Sequence, residues 1–337
     1  MSQEFAEPIR DVAHFGHIEL FTPKPAESLF YFQELLGMAV VHQEGPSSYL
    51  RGYGDYAAST LKLTEAKEPG VGRIAWRAVS PQALERRAQA IEESGLGIGW
   101  SNGDFGRGRT FRFRDPDGHP MEIYYEEEKY EAPASLHSAL RNQPMKYPGH
   151  GAGVRRSDHV ALTCRDVAAN RRFMQDALGL QLREQIRFDN GEKEIGSWLS
   201  STPSHHEIAY VADSAGQSGR LHHFSLWVDN RDDVLRTADI FRENDIFIET
   251  GPSKHNNSQA VYLYSYEPGG NRIEVYTSGF MVFAPDFEPI IWNEDNREGG
   301  VYWGAKLPES FMTYATPPHE IDGADPDQST LPTFDPH

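Results

Sequence analysis

Cysteine is almost absent from these 337 residues: Cys164 stands alone. No intrachain disulfide can form, and nothing in the chain calls for an oxidising compartment, so a cytoplasmic location is the expectation. A structural zinc site closed by four ligands usually draws on several cysteines, which this chain does not have. Positive charge is scarce too. With 32 Lys and Arg against 50 Asp and Glu, the net charge is -18. That balance argues against nucleic acid and anionic membranes as partners, because both are held through clustered cations. Long apolar runs are missing, so no stretch is suited to span a bilayer. The opening MSQEFAEPIRDVAHFGHIEL lacks the basic-then-apolar pattern of a signal peptide.

What is present is globular: 38% hydrophobic and 12% aromatic residues, with 14 histidines, some of them clustered. The chain also repeats itself. HFGHIELFTPKPAESLFYFQELLGMAV, from His14, parallels RSDHVALTCRDVAANRRFMQDALGLQL, from Arg156. Each runs from a histidine through a short strand and an amphipathic helix to Leu-Gly, where glycine suits a helix C-terminus. GRIAWRAV, from Gly72, then parallels GRLHHFSLWV, from Gly219, which sets Ala75 and Trp76 against the histidine pair. RDPDGHPMEIYY, from Arg114, parallels YEPGGNRIEVYT, from Tyr266. The offsets drift slowly: 142 residues for His17 and His159, 147 for Trp76 and His223, 152 for Glu122 and Glu274.

The pattern predicts an α+β fold of tandem βαβββ modules. Residues 1–13 read as an N-terminal arm, 14–130 as a first module and 131–154 as a linker rich in Pro and Gly. Residues 155–280 form the second module, 281–314 a C-terminal extension with aromatics enough to pack on the body, and 315–337 a mobile acidic tail.

One carboxylate falls where a β pattern should be apolar. Val261-Tyr262-Leu263-Tyr264 reads as a strand, Glu267-Pro268-Gly269-Gly270 as a turn, and Ile273-Glu274-Val275-Tyr276 as the next strand. An acid inside such a strand is costly unless it is paired or holds a metal. His159, and His222 or His223, stand on two further strands of the same module. A lone strand histidine is usually a core residue, but three candidate ligands on three strands can converge. Two imidazoles and one carboxylate form the facial triad of non-haem Fe(II) oxygenases, with positions left open for substrate and O₂. Strand periodicity sends His222 and His223 to opposite faces, so one of the two reaches the ion. The first module keeps His17 and Glu122 but lacks the histidine pair, and is expected to bind no metal. Cys164, five residues from His159 and on the other parity, is expected in the core.

These residues resemble the type I extradiol ring-cleaving dioxygenases of the vicinal oxygen chelate superfamily, the catechol 2,3-dioxygenase and 2,3-dihydroxybiphenyl 1,2-dioxygenase type. The resemblance spans roughly residues 14 to 300. Its most specific part is His255-x7-Leu263-Tyr264-x2-Glu267-Pro268-x-Gly270-x3-Glu274. Ser253 and Asn256 depart from the family's usual residues in the loop around His255. The resemblance implies two partly open barrels, a non-metal first module and a catalytic second one. It implies His159, His223 and Glu274 as ligands of Fe(II), with Mn(II) as the alternative. It makes His206 the acid/base histidine, and His255 and Tyr264 the groups that contact substrate oxygens. Tyr262 and Tyr266 are left as packing residues. The implied reaction joins a catecholic substrate to both atoms of O₂ and opens the ring beside the diol, giving a hydroxymuconic semialdehyde type of product. A histidine near neutral pKa suits the movement of a phenolic proton. Relatives of this kind are homo-oligomers, commonly tetramers. Two other readings stand beside it: a metal-dependent isomerase or lyase of the glyoxalase type, and a non-catalytic small-molecule-binding protein of the same fold.

Overall fold

A computed structural model describes residues 7–319 except 189, 297–299 and 305. Two mixed sheets carry the fold. The first contains β1 (Val12–Thr22), β2 (Ala39–Glu44), β3 (Ser47–Arg51), β4 (Leu61–Glu65), β5 (Gly70–Ala78), β6 (Gly97–Ser101), β7 (Thr110–Arg114) and β8 (Pro120–Tyr124). Their order is β2-β3-β4-β1-β5-β8-β7-β6. The second contains β9 (Arg156–Cys164), β10 (Gln181–Phe188), β11 (Lys193–Ser200), β12 (Ile208–Ala212), β13 (Arg220–Trp227), β14 (Ile248–Lys254), β15 (Ala260–Tyr266), β16 (Arg272–Ser278) and β17 (Ile290–Trp292). Its order is β14-β15-β16-β13-β9-β12-β11-β10-β17.

Helices α1 (Pro25–Phe30), α2 (Pro81–Glu93), α3 (Val167–Leu178) and α4 (Arg231–Glu243) each follow the first strand of a βαβββ unit, so the unit occurs four times. A short α5 (Glu309–Thr313) lies in the C-terminal extension. The three longer helices begin on side-chain caps. Ser80, Asp166 and Asn230 accept from the amides of Ala83, Ala169 and Asp233 at 3.0, 2.8 and 3.0 Å. Such caps contribute about 1 kcal/mol each. α3 ends on Gly179 in the left-handed region (φ 78°), as the Leu-Gly pattern predicts. α2 buries an apolar stripe of Ala83, Leu84, Ala88 and Ile91, and α3 one that includes Val167, Phe173, Met174 and Leu178.

The sheets are built alike. β1 pairs antiparallel with β5, as β9 does with β13, and β5 pairs parallel with β8, as β13 does with β16. These ladders correct the repeat alignment. His17 pairs with Ala75 and Ala75 with Glu122; His159 pairs with Ser225 and Ser225 with Glu274. Ala75 is therefore the counterpart of Ser225, and Arg73, not Trp76, stands in the place of His223. The matching Gly-Arg dipeptides at 72–73 and 219–220 pull the sequence alignment out of step. Trp76 is fully buried against the edge of Phe15, ring centroids 6.0 Å apart, and Phe15 meets Phe224 of the second module at 6.4 Å. One hydrophobic core thus runs through both modules.

The connecting segments are also more ordered than composition suggests. β1 begins at Val12, inside the expected arm. Ala152 and Val154 of the linker are buried, and the Tyr53 amide donates to the Val154 carbonyl at 3.1 Å. β17 adds to the edge of the second sheet, parallel to β10. The start of the expected mobile tail is fixed: Thr316 exchanges backbone hydrogen bonds with Leu221, and Val71 with Pro317 and His319. Residues 320–337 lie outside the described residues.

Candidate metal centre

β16, β13 and β9 are neighbours, so Glu274, Ser225 and His159 form one row across the sheet. His223 lies two residues from Ser225 on the same strand and the same face. Ser225 is small, which leaves the middle of the row open. The ligand atoms of His159, His223 and Glu274 all lie within 4.8 Å of one another. His159 Nε2 is 3.0 Å and His223 Nε2 3.5 Å from Glu274 Oε2, and the two Nε2 atoms are 3.2 Å apart. Ligands at about 2.1 Å from a divalent ion stand about 3 Å from their cis neighbours. Both Glu274 oxygens are buried, and the imidazoles of His159, His223 and His255, at 3.0, 3.5 and 3.4 Å, are the ion-pair contacts they make among the described residues. A buried carboxylate costs several kcal/mol unless a cation meets it. The three side chains fit a metal ion.

The proton positions suit the same role. His159 Nδ1 lies 2.8 Å from the carboxylate of Asp158, so it donates there and turns Nε2 toward Glu274 as the nitrogen a metal ion would take. His223 is set by a longer path. His222 Nε2 donates to the Phe311 carbonyl at 2.7 Å, so His222 Nδ1 must accept. It lies 2.6 Å from His223 Nδ1, which must then donate, and His223 Nε2 is bare in turn. This corrects the expectation that the two histidines face opposite ways. A bulge between Leu221 and His223 makes His222 the extra residue of β13, and both rings line the cavity.

Burial opposes charge on every one of these imidazoles, and the outcomes differ. His159 is pushed up to about 9, because hydrogen bonds to Asp158 and Glu274 and their charges outweigh burial. His223 and His206 are held well below the ordinary histidine value, by burial first. Burial also works against charge on Glu274, but His159 and His255 outweigh it and hold the carboxyl well below its usual range.

The other candidates converge on the same place. The His206 ring lies 3.9 Å from that of His159, centroid to centroid. His255 Nε2 is 3.1 Å from the Tyr264 hydroxyl and 3.4 Å from Glu274 Oε1. Tyr262 stacks on His255 at 3.9 Å, and Tyr266 donates to Glu249, so both serve as packing and support. Cys164 is buried in the core. Sequence reasoning missed Asp158, and it weighed His222 only as the alternative ligand to His223. The Asp-His and His-His dipeptides were the available signals.

The ligands open on a cavity of about 470 Å³, within the range of small-molecule sites. Its walls include Ile186, Phe188, Ile195, Trp198, Trp292 and Phe311. The C-terminal extension closes one side, since Leu307, Phe311 and Met312 all line it. Buried Arg272 ties that strap down, donating to the carbonyls of Ser310, Tyr314 and His222 at 3.1, 2.9 and 2.9 Å.

The corresponding place in the first module is filled from within. Arg107 Nη1 donates to Glu122 at 2.7 Å, and Arg73 Nε lies 4.0 Å from the same carboxylate. Neither ring nitrogen of buried His17 has a partner, and burial together with Arg107 holds its pKa well down. A guanidinium supplies the positive charge there.

Two imidazoles and a carboxylate on one of two repeated modules, facing an apolar cavity, define a mononuclear metalloenzyme of the oxygen-using kind. The comparisons narrow the class. The family model described as Glyoxalase/Bleomycin resistance protein/Dioxygenase superfamily matches residues 14–123 and 156–275. Metapyrocatechase of Geobacillus stearothermophilus is 45% identical over 94% of this chain and 97% of its own length. A manganese-dependent 2,3-dihydroxybiphenyl 1,2-dioxygenase of Geobacillus genomosp. 3 is 40% identical over 87% and 94%. The crystal structure of homoprotocatechuate 2,3-dioxygenase from Arthrobacter globiformis superposes with a TM-score of 0.83 at 25% identity, covering 95% and 96% of the two chains. The chain belongs to the glyoxalase/dioxygenase superfamily, and within it to the extradiol dioxygenases, enzymes that open a catechol ring beside the diol with O₂. Fe(II) is the metal of such enzymes, with Mn(II) in the manganese-dependent relative.

Proposed function

We propose that the enzyme cleaves a catechol carrying an apolar substituent, with His159, His223 and Glu274 as metal ligands and His206 as acid/base. The carrying observation is the convergence of two imidazole Nε2 atoms and one buried carboxylate, all within 4.8 Å of one another, at the floor of an apolar cavity. When bound, a divalent ion supplies the meeting place of diol and O₂ and favours loss of a phenolic proton. The side chains do the rest. His206 is neutral and can accept the other phenolic proton and return it later. Tyr264 and His255 form a hydrogen-bonded pair that orients the substrate's oxygens. The apolar walls and the strap limit water.

The preference for an apolar substituent rests on charge. Lys193 is the one lysine or arginine among the lining residues, and it is exposed. Arg220 and Arg272 near the cavity are ion-paired with Asp213 and Glu249. Among the described residues a carboxylated side chain finds no buried, unpaired Lys or Arg in the lining, whereas an alkyl or aryl group meets apolar wall. The same reading keeps residues 14–130 as a non-metal module and 155–280 as the catalytic one. It places a homo-oligomeric, tetrameric enzyme in the cytoplasm, free of nucleic acid and membrane. The net charge of -18 and the single buried cysteine support that placement.

The test is O₂ uptake by protein loaded without air with Fe(II) or Mn(II), offered catechol, 2,3-dihydroxybiphenyl and 3,4-dihydroxyphenylacetate. Uptake with a yellow ring-fission product, fastest for an apolar substrate, is expected. A kcat/KM highest for 3,4-dihydroxyphenylacetate would overturn the substrate assignment.

A further inference from the structure

On the side away from the cavity, His206 joins a file of side chains that the reaction as described does not use. Its Nδ1 lies 2.7 Å from Nδ1 of His205, so one nitrogen donates and the other accepts. His205 Nε2 lies 3.3 Å from Oε1 of Glu184, within ion-pair distance though off line for a hydrogen bond, and no described acceptor bonds that nitrogen. The second Glu184 oxygen accepts the indole N–H of Trp292 at 2.7 Å. His205 and Glu184 are 3% and 1% exposed. β17 carries Trp292 to this point by pairing with β10, where Ile290 lies opposite Glu184.

The direction of every bond in the file follows from its outer end. An indole N–H can only donate, and a carboxylate can only accept. The negative carboxylate 3.3 Å away therefore favours the His205 proton on Nε2. His205 Nδ1 is then the acceptor, so His206 Nδ1 donates to it. The one nitrogen of His206 left without a proton is Nε2. The same logic holds His223 through His222 and the Phe311 carbonyl, and His159 through Asp158. Those two prepare metal ligands; the file behind His206 ends on no ligand.

We propose that Glu184, acting through His205, is a positioning residue that holds His206 in the tautomer with a bare Nε2, ready to take the phenolic proton. The proposal rests on the reading of His206 as the acid/base group. It assigns a task to a buried carboxylate and a buried histidine far from the substrate's own contacts, and it explains why the 205–206 pair is a doublet.

Glu184→Gln is the informative variant, because it keeps the shape and replaces two acceptors by one acceptor and one donor. With the amide oxygen on Trp292, its NH₂ donates to His205 Nε2, both inner bonds reverse, and the proton moves to His206 Nε2. Supporting residues of this kind are worth about 10- to 100-fold. The expected result is a fall of that size in kcat for catechol, with metal per chain and KM unchanged. His205→Phe, which leaves the Glu184–Trp292 bond intact, should lose as much. A second readout avoids turnover. 4-Nitrocatechol, whose absorbance reports its ionisation, is bound without O₂ to Mn(II)-loaded protein. The native enzyme should remove one more phenolic proton than Glu184→Gln does. In a His206→Phe background, adding Glu184→Gln should cost nothing further.

Native turnover in Glu184→Gln, an unchanged 4-nitrocatechol spectrum, or an equal further loss in the His206→Phe background would overturn the proposal. Full turnover by His206→Phe alone would instead remove the acid/base reading beneath it. Trp292→Phe separates the remaining route. If it reproduces the Glu184→Gln loss as a rise in KM, the carboxylate works by holding the cavity wall, and the proposal fails.

Discussion

The two modules place a buried glutamate at the same point of the same ladder and give it different company. Glu122 and Glu274 each pair across from a small residue, Ala75 or Ser225, and each has a histidine in its row. In the first module Arg107 and Arg73 approach the carboxylate, and the charge is settled inside the chain. In the second the matching position is His223, the carboxylate meets imidazoles in place of guanidinium groups, and a cavity opens above it. The difference shows two ways for one repeated unit to meet a buried carboxylate, with a guanidinium from within or with imidazoles beside an open cavity. A guanidinium delivers a permanent positive charge with its own donors, so the module keeps its fold and loses its open coordination positions.

The comparison can be broken at either glutamate. Glu274→Gln should abolish both metal binding and ring cleavage, read as metal per chain and O₂ uptake. Glu122→Gln should leave both untouched; a loss of metal there would mean that the first module binds an ion. What Glu122→Gln should lose is stability. Arg107 would be left buried with its main partner gone, at a cost of about 3–5 kcal/mol, measurable by denaturant unfolding. Unfolding at the native midpoint would show that the guanidinium is not held by that carboxylate.

A smaller effect belongs to the seam between modules. His119 and Asp115 of the first module are buried together, 2.6 Å apart, and His119 also reaches the Thr163 carbonyl of the second at 3.1 Å. Burial works against the charged imidazole, but Asp115 outweighs it and raises the pKa. A raised folded value means that the folded state binds the proton more tightly than the unfolded one. The stabilisation is complete below the ordinary histidine value of about 6.5 and is lost as pH climbs through the raised one. Thermal midpoints should therefore decline above that pH in the native protein, and His119→Gln should flatten this part of the profile. An unchanged slope would show that the pair does not titrate in the folded range.

Much of the catalytic module was legible because its signals are local. The inward glutamate of Ile273-Glu274-Val275, the histidine opening β9 and the Leu-Gly helix ends each depend on a few neighbouring residues. The same is true of the motif from His255 to Glu274. What depended on pairing was not legible. A slide of a few residues between β5 and β13 put Trp76 in the place that Arg73 holds, because the two Gly-Arg dipeptides match better than the strands they begin. The bulge at His222 broke the period-two rule that sent its ring away from the site. The aromatics of 281–314 signalled packing on the body but not which residues reach the cavity, since Leu307 and Phe311 look like any apolar residues until the fold brings them there.

That strap has a consequence in time as well as space. A ribosome completes the strands bearing His159, His223 and Glu274 before it makes Leu307, Phe311 or the Phe311 carbonyl that orients His222. The cavity wall and the last acceptor in the His223 path both come from the end of the described chain. A nascent or clipped chain that stops short of them owns all three ligands without the enclosure that makes them useful. A chain cut before Leu307 is therefore expected to keep His159, His223 and Glu274 but lose that wall and that acceptor, with O₂ uptake falling further than metal per chain.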